Sequence, residues 1–175
     1  MSGIATKTNH YIQLIEGFNT KVLDTRKTTP GLRLVEKMAV KIGGGQNHRM
    51  GLYDMIMLKD NHIDFAGGIK AAISKTNTYL KENSLDLKIE IEARNLTELE
   101  EILAVGNVDI IMLDNFSFED MRTAVKKING KYKTEASGGI TEATIRDYAA
   151  CGVDFISVGA LTHQINSLDL SLKAI

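Results

Sequence analysis

Short apolar, often β-branched runs recur along this chain, and each leads into a longer amphipathic stretch. The runs lie at residues 21–24, 55–58, 87–91, 108–113, 131–135 and 154–158. Runs of this length with little polar alternation predict strands buried on both faces. The stretches between them carry apolar residues at helical spacing: Leu32, Val35, Met38 and Ala39; Leu96, Leu99, Ile102 and Leu103 after an N-cap at Asn95; Met121, Ala124, Val125 and Ile128 after Ser117. Gly152 stands where a helix over 144–151 would need its terminal glycine. Strand–helix alternation repeated in this way builds βαβ units and a parallel sheet with right-handed crossovers. A closed eight-stranded barrel takes about 250 residues, and this chain has 175. The expectation is therefore an α/β fold, an open or incomplete parallel β/α barrel of about six βα units, with residues 1–175 as a single domain. Leu168, Leu170 and Leu172 alternate with polar residues, which predicts one further, half-buried strand within 165–175.

Charge narrows the function. Lys and Arg total 21 against 22 acidic residues, a formal charge of −1. Without a basic excess, neither a nucleic-acid partner nor a membrane surface is expected. No apolar run approaches the roughly 20 residues of a membrane span, and residues 1–20 hold no secretory h-region. Cys151 is the one cysteine, which excludes an intrachain disulfide and fits a cytoplasmic protein.

In a parallel α/β sheet the C-terminal strand ends share one rim, and that rim carries the active site. Here those ends are charged: Asp24-Thr25-Arg26-Lys27, Lys59-Asp60-Asn61-His62, Glu90 with Glu92, Asp114-Asn115, and Glu135 before Ser137-Gly138-Gly139. The run Gly43-Gly44-Gly45-Gln46-Asn47-His48-Arg49 holds more glycine than a helix end requires. It serves either a close backbone approach or a flexible lid. Ser137-Gly138-Gly139-Ile140 precedes a helix expected from Thr141, and Ser157-Val158-Gly159-Ala160 repeats the pattern in the next loop. Paired glycine loops of this kind, last in a barrel, hold phosphate with main-chain N–H groups. Met55, Met57, Met112 and Cys151 read as packing residues, and His10 and Arg146 as surface. His62 and His163 read equally well as caps.

Taken in order, Asp24-Thr25-Arg26-Lys27-Thr28-Thr29-Pro30-Gly31-Leu32-Arg33, the Gly43–Arg49 run, Leu58-Lys59-Asp60-Asn61-His62, Ile89-Glu90-Ile91-Glu92, Leu113-Asp114-Asn115-Phe116 and the two glycine loops closely resemble the quinolinate phosphoribosyltransferases. The resemblance spans essentially the whole chain. It implies transfer of phosphoribosyl from phosphoribosyl pyrophosphate to quinolinate with decarboxylation, giving nicotinate mononucleotide, carbon dioxide and pyrophosphate in NAD biosynthesis, with Mg2+. It implies that Arg26, His48, Arg49 and Lys59 grip the quinolinate carboxylates, with Lys27 beside them or the pyrophosphate. Glu92 and Asp114 would stand at the ribose and the metal, with Lys59 the third catalytic group. Ser137, Gly138, Gly139, Gly159 and Ala160 would hold the 5′-phosphate. Family members carry an N-terminal sandwich domain before the barrel. The resemblance implies that this chain lacks that domain, that the strand within 165–175 would pair with it, and that the protein is a homo-oligomer. Two alternatives share the pattern: a molybdenum-transport-associated pyrophosphorylase relative, and a barrel fragment that binds such ligands without turnover. The intact Lys59-Asp60-Asn61-His62 motif favours quinolinate over the first.

Overall fold

The structure, a computed structural model, describes residues 1–165 and 171–174. Six strands form one parallel sheet: β1 (Lys21–Leu23), β2 (Ile56–Leu58), β3 (Ile89–Ala93), β4 (Ile110–Asp114), β5 (Lys133–Ser137) and β6 (Phe155–Ser157). Their order is β1-β6-β5-β4-β3-β2. Among the described residues the first strand therefore pairs with the last, and β1 and β2 are the two edges of an open barrel. The helices are α1 (Ser2–Leu14), α2 (Arg33–Ile42), α3 (Asp60–Ala66), α4 (Ile69–Glu82), α5 (Leu96–Val105), α6 (Phe118–Ile128), α7 (Ile145–Ala150) and α8 (Ala160–His163). Among the described residues, no helix is long and apolar enough to cross a membrane. The strand expected within 165–175 falls largely on 166–170 and 175, outside the described residues. Residues 171–174 form no strand, and Leu172 is exposed.

Local signals place the helices. Asn95 Oδ1 accepts the Glu98 N–H at 3.0 Å and starts α5. Ser117 Oγ accepts the Asp120 N–H at 3.1 Å and starts α6. Gly152 follows α7 at φ +89°, a left-handed geometry glycine adopts without strain. The expected helix start at Thr141 is corrected: Thr141 N–H and hydroxyl instead meet Thr144 Oγ1 in a turn, and α7 begins at Ile145. The Ser137–Ile140 loop thus does not run directly into a helix N-terminus.

The core is aliphatic, with Ile91, Leu99, Ile111, Leu113, Ile145, Ile156 and Leu161 essentially sealed from water. Helix α2 reverses the usual pattern. Of the expected stripe only Ala39 is buried, with Val40, Glu36 and Lys37, while Leu32, Val35 and Met38 face outward with Leu34 and Ile42. The glycine run serves close approach rather than a lid. A Cβ on Gly43 would come within 2.4 Å of the Ala5 carbonyl oxygen, and one on Gly45 within 2.8 Å of Thr8 and Val40. Their absence lets α1 press against the end of α2. Gln46 then pairs with β1, taking and giving backbone hydrogen bonds at Val22 and Asp24, and so delivers residues 47–49 to the rim.

At the opposite end of the barrel, Asp154 clamps three strands. Its carboxylate accepts from Lys133 Nζ (2.6 Å) and from the Thr134 N–H and hydroxyl (3.0 Å each), while its carbonyl accepts the Lys21 N–H (2.8 Å). Partial burial would raise the carboxyl pKa, but Lys133 and Thr134 outweigh it and hold the group below the ordinary aspartate value. Asp154→Ala should cost about 1–2 kcal/mol, at the low end for bonds to a charged group because Lys133 stays in water. Because the folded pKa is depressed, this stability is full above the unfolded aspartate value and is lost as pH falls through the folded one. Urea denaturation at pH 7 and pH 3 should show the gap between wild type and variant closing in acid.

Candidate active site

β1 ends at Leu23, and Asp24 turns inward to full burial. Its carboxylate accepts from Lys37 Nζ of α2, from Asn47 Nδ2 and from the His48 N–H (2.9 Å). Burial raises the Asp24 pKa, and these donors only partly pull it back. One buried acid thus fastens both α2 and the 47–48 segment to the end of β1. Arg33 fastens the loop above: its guanidinium donates to Thr28 Oγ1 (3.0 Å), Arg26 O (3.2 Å) and Met50 O (3.3 Å). Arg26 and Lys27 are thereby set between the β1 end and α8, where Thr162 Oγ1 donates to Lys27 O at 2.7 Å.

Two contiguous cavities open at this rim. The smaller, about 310 Å³, is lined by Arg26, Lys27, His48, Arg49 and Lys59 over a floor containing Met57, Met112 and the acid Glu135. The larger, about 940 Å³, takes in Lys27, Lys59, Glu92, Asp114, Ser137, Gly138, Gly139, Gly159 and Ala160. Thr25, Lys27, Lys59, Ser137 and Ser157 line both. Every residue that the resemblance assigns to the substrates therefore borders one continuous cleft. The cleft also contains Lys7, Tyr11 and His163. Lys7 and Tyr11, one helical turn apart on α1, carried no motif.

β3, β4 and β5 start and end later than their apolar runs, which changes where the acids sit. Glu90 and Glu92 lie inside β3 and Glu135 inside β5, not beyond the strand ends. All three are buried. Glu92 Oε2 lies 3.5 Å from Lys59 Nζ. Burial raises the Glu92 pKa above the usual carboxylate range against the pull of Lys59, and the charge of Asp114 adds to the rise. Asp114 closes β4 and accepts from Asn115 Nδ2 at 2.6 Å. Burial and the neighbouring Arg26 push the Arg49 guanidinium pKa down. Arg49 donates to Met55 O at 3.2 Å and approaches Met57 Sδ at 3.6 Å.

His48 meets protein groups at both ring nitrogens and also borders the small cavity. Nε2 lies 2.9 Å from Glu90 Oε2 and 3.3 Å from Glu135 Oε2. Nδ1 accepts the Arg49 N–H at 2.8 Å. Burial lowers the imidazole pKa, but Glu135 and Glu90 outweigh it and lift it to about 10, while the Arg49 N–H opposes a second ring proton. Burial, then the charge of Glu135, raise Glu90 to about 7 despite His48. His62 instead caps: its Nδ1 accepts the Lys59 N–H at 3.0 Å at the start of α3. Cys151 is buried, with its thiol on Asp147 O at 3.2 Å.

Chemically, the small cavity offers planar cationic donors over a floor with two methionines, which suits a flat ring bearing carboxylates. The larger cavity offers two carboxylates and a glycine-lined end rich in main-chain groups, which suits a phosphorylated polyol. Glu92 and Asp114 provide two hard oxygen donors, short of a closed protein cage and fitted to Mg2+ that keeps waters and phosphate oxygens. His48, Glu90 and Glu135 also place three donor atoms within 4.8 Å of one another.

Residues 4–173 match the family model described as quinolinate phosphoribosyl transferase, C-terminal domain. The chain is 46% identical over 187 residues to the chloroplastic nicotinate-nucleotide pyrophosphorylase (carboxylating) of Arabidopsis thaliana, covering 99% of this chain and 53% of that protein. It is 47% identical over 179 residues to a probable nicotinate-nucleotide pyrophosphorylase (carboxylating) of Synechocystis, covering 100% of this chain and 59% of that one. The crystal structure of NadC from Streptococcus pyogenes superposes with a TM-score of 0.91 at 46% identity, over 99% of this chain and 59% of that one. The nicotinate-nucleotide pyrophosphorylase of Francisella tularensis gives a TM-score of 0.90 at 50% identity, over 97% and 59%. The chain thus spans between one half and three fifths of the length of these relatives.

Proposed function

The chain belongs to the quinolinate phosphoribosyltransferase family through its C-terminal domain, and from this we propose that it transfers phosphoribosyl from phosphoribosyl pyrophosphate to quinolinate with loss of carbon dioxide, within NAD biosynthesis. The observation that carries this reading is the single cleft in which a cationic, methionine-floored cavity adjoins a carboxylate- and glycine-lined one. Quinolinate is a flat dianion. Arg49, Arg26 and Lys59 supply its counter-charges. The diphosphate sugar lies along the larger cavity, its 5′-phosphate toward Ser137, Gly138, Gly139, Gly159 and Ala160.

The chemistry follows from that placement. As the C–O bond to pyrophosphate lengthens, positive charge builds at the anomeric carbon, as in glycoside cleavage. Glu92 and Asp114 stabilise that charge and hold the ribose hydroxyls. Glu92 and Asp114 would hold Mg2+, which would supply charge neutralisation for the departing pyrophosphate. Lys27 and Lys59 share that task from the rim. The ring nitrogen attacks the anomeric carbon. The carboxylate beside the nitrogen then leaves as carbon dioxide, its bonding electrons drawn toward the pyridinium, and a proton from water takes its place on the ring. No protein nucleophile is required.

Lys59→Ala should weaken quinolinate binding roughly 30-fold, about 2 kcal/mol, the low end for truncating a charge partner because the lysine is half exposed. Calorimetry with quinolinate, and a product assay with both substrates, test the reading. A wild-type chain that binds neither quinolinate nor phosphoribosyl pyrophosphate overturns it. Outward-facing Leu34, Met38 and Ile42 on α2 support the homo-oligomer expected from the sequence, and one buried thiol supports a reducing, cytoplasmic setting.

A further inference from the structure

Two carboxyl side chains, Glu90 and Glu135, are fully buried. Neither has a well-formed hydrogen bond within the protein. The polar atom both approach is His48 Nε2, at 2.9 and 3.3 Å. The remaining polar groups of His48 are taken: its N–H by Asp24, its carbonyl by Lys37 Nζ at 3.0 Å, and Nδ1 by the Arg49 N–H. His48 and Arg49 both border the small cavity, and His48 Nε2, like the two carboxylates, has no well-formed hydrogen bond. Burying two carboxyls is costly unless they are used, and the ring they meet is hydrogen-bonded to the backbone that aims Arg49.

We propose that Glu90 and Glu135 are positioning residues, which through His48 fix the 48–49 backbone and so orient the Arg49 guanidinium toward a carboxylate of the bound ring. The inference rests on the quinolinate reading for the identity of the ligand, but not for the anchor itself.

The test uses the full chain with Glu135→Leu, which removes the anchor, and Glu135→Gln, which keeps an acceptor oxygen. Glu90→Leu replaces the first if that variant does not fold. Quinolinate affinity should fall at least roughly tenfold in the leucine variant, the scale of a misplaced binding group. It should stay within about threefold in the glutamine variant, the conservative rescue expected of an acceptor held in place. Inorganic phosphate, taken up at the glycine loops, should bind equally in all three proteins. By NMR, the Arg49 amide and Nε–H signals should move in the leucine variant and hold in the glutamine variant. Unmoved Arg49 signals with unchanged quinolinate affinity overturn the inference. So does one equivalent of Mn2+ or Zn2+ bound by wild type and lost in the leucine variant, which would make the trio a metal centre. A wild-type chain that takes up no quinolinate sinks the functional reading alone, and the Arg49 signals still decide the anchor.

Discussion

Replacing Lys37 with alanine should remove about 3–5 kcal/mol of stability, the penalty for leaving a buried charge without its partner. Lys37 is 1% exposed and Asp24 is 0% exposed. Without the ammonium, the carboxylate keeps only Asn47 and the His48 N–H, and its pKa, already raised by burial, must climb further. A raised folded-state pKa gives stability that is complete below the unfolded aspartate value and is lost as pH rises through the folded one. The deficit of Lys37→Ala should therefore be largest near neutrality and shrink in acid. Removing both charges in Asp24→Asn/Lys37→Met should recover much of the loss, since it is the orphaned charge that destabilises. Guanidinium unfolding of the single and double variants at pH 4 and pH 7 checks this, and a single variant within 1 kcal/mol of wild type would contradict it.

Gly138→Ala is the second large effect. Gly138 sits at φ +103°, a backbone region in which a Cβ is strained by about 1–3 kcal/mol. The added Cβ would also come within 2.2 Å of Asn115 Oδ1 and 2.9 Å of the Asn115 nitrogen. That nitrogen donates to Ser137 O at 2.9 Å, so the clash pries apart the ends of β4 and β5. We expect a loss of about 2–4 kcal/mol in stability and no measurable phosphate affinity at millimolar concentration. Gly139→Ala is the contrast. It shares a positive φ of +57°, but its Cβ would meet nothing within 4 Å. It should lose only the backbone term, about 1 kcal/mol. Thermal melts and calorimetry with inorganic phosphate separate the two, and equal behaviour would refute the steric account.

The sheet, its parallel direction and its open form were legible because period and run length report burial directly. The site was legible as a set of rim residues because parallel strands force their ends together. Three features were hidden. The first is α2, where Leu32, Val35 and Met38 of the expected core stripe face out and Ala39 is buried. The inner face is set by Lys37 meeting Asp24, a tertiary pair that local spacing does not encode. The second is Glu90, Glu92 and Glu135. Acids are read as strand terminators, and only the register of Glu90 against Ile110 and of Met112 against Glu135 reveals them as interior. The third is the run Gly43-Gly44-Gly45, in which glycine marks an unusual backbone but not whether it moves or lets another helix approach.

The sheet order has a consequence for how the molecule is made. Lys21 lies beside Phe155, and Val22 beside Ile156. A ribosome adding roughly 5–20 residues per second must therefore translate nearly the whole barrel before the N-terminal strand finds its neighbour. Until then α1 and β1 have only α2 and Gln46 to pack against, and closure entropy is paid late, as in other topologies of high contact order. The arginine and lysine that follow β1 come to the cleft only with that final docking, so ligand binding reports on the last event of folding.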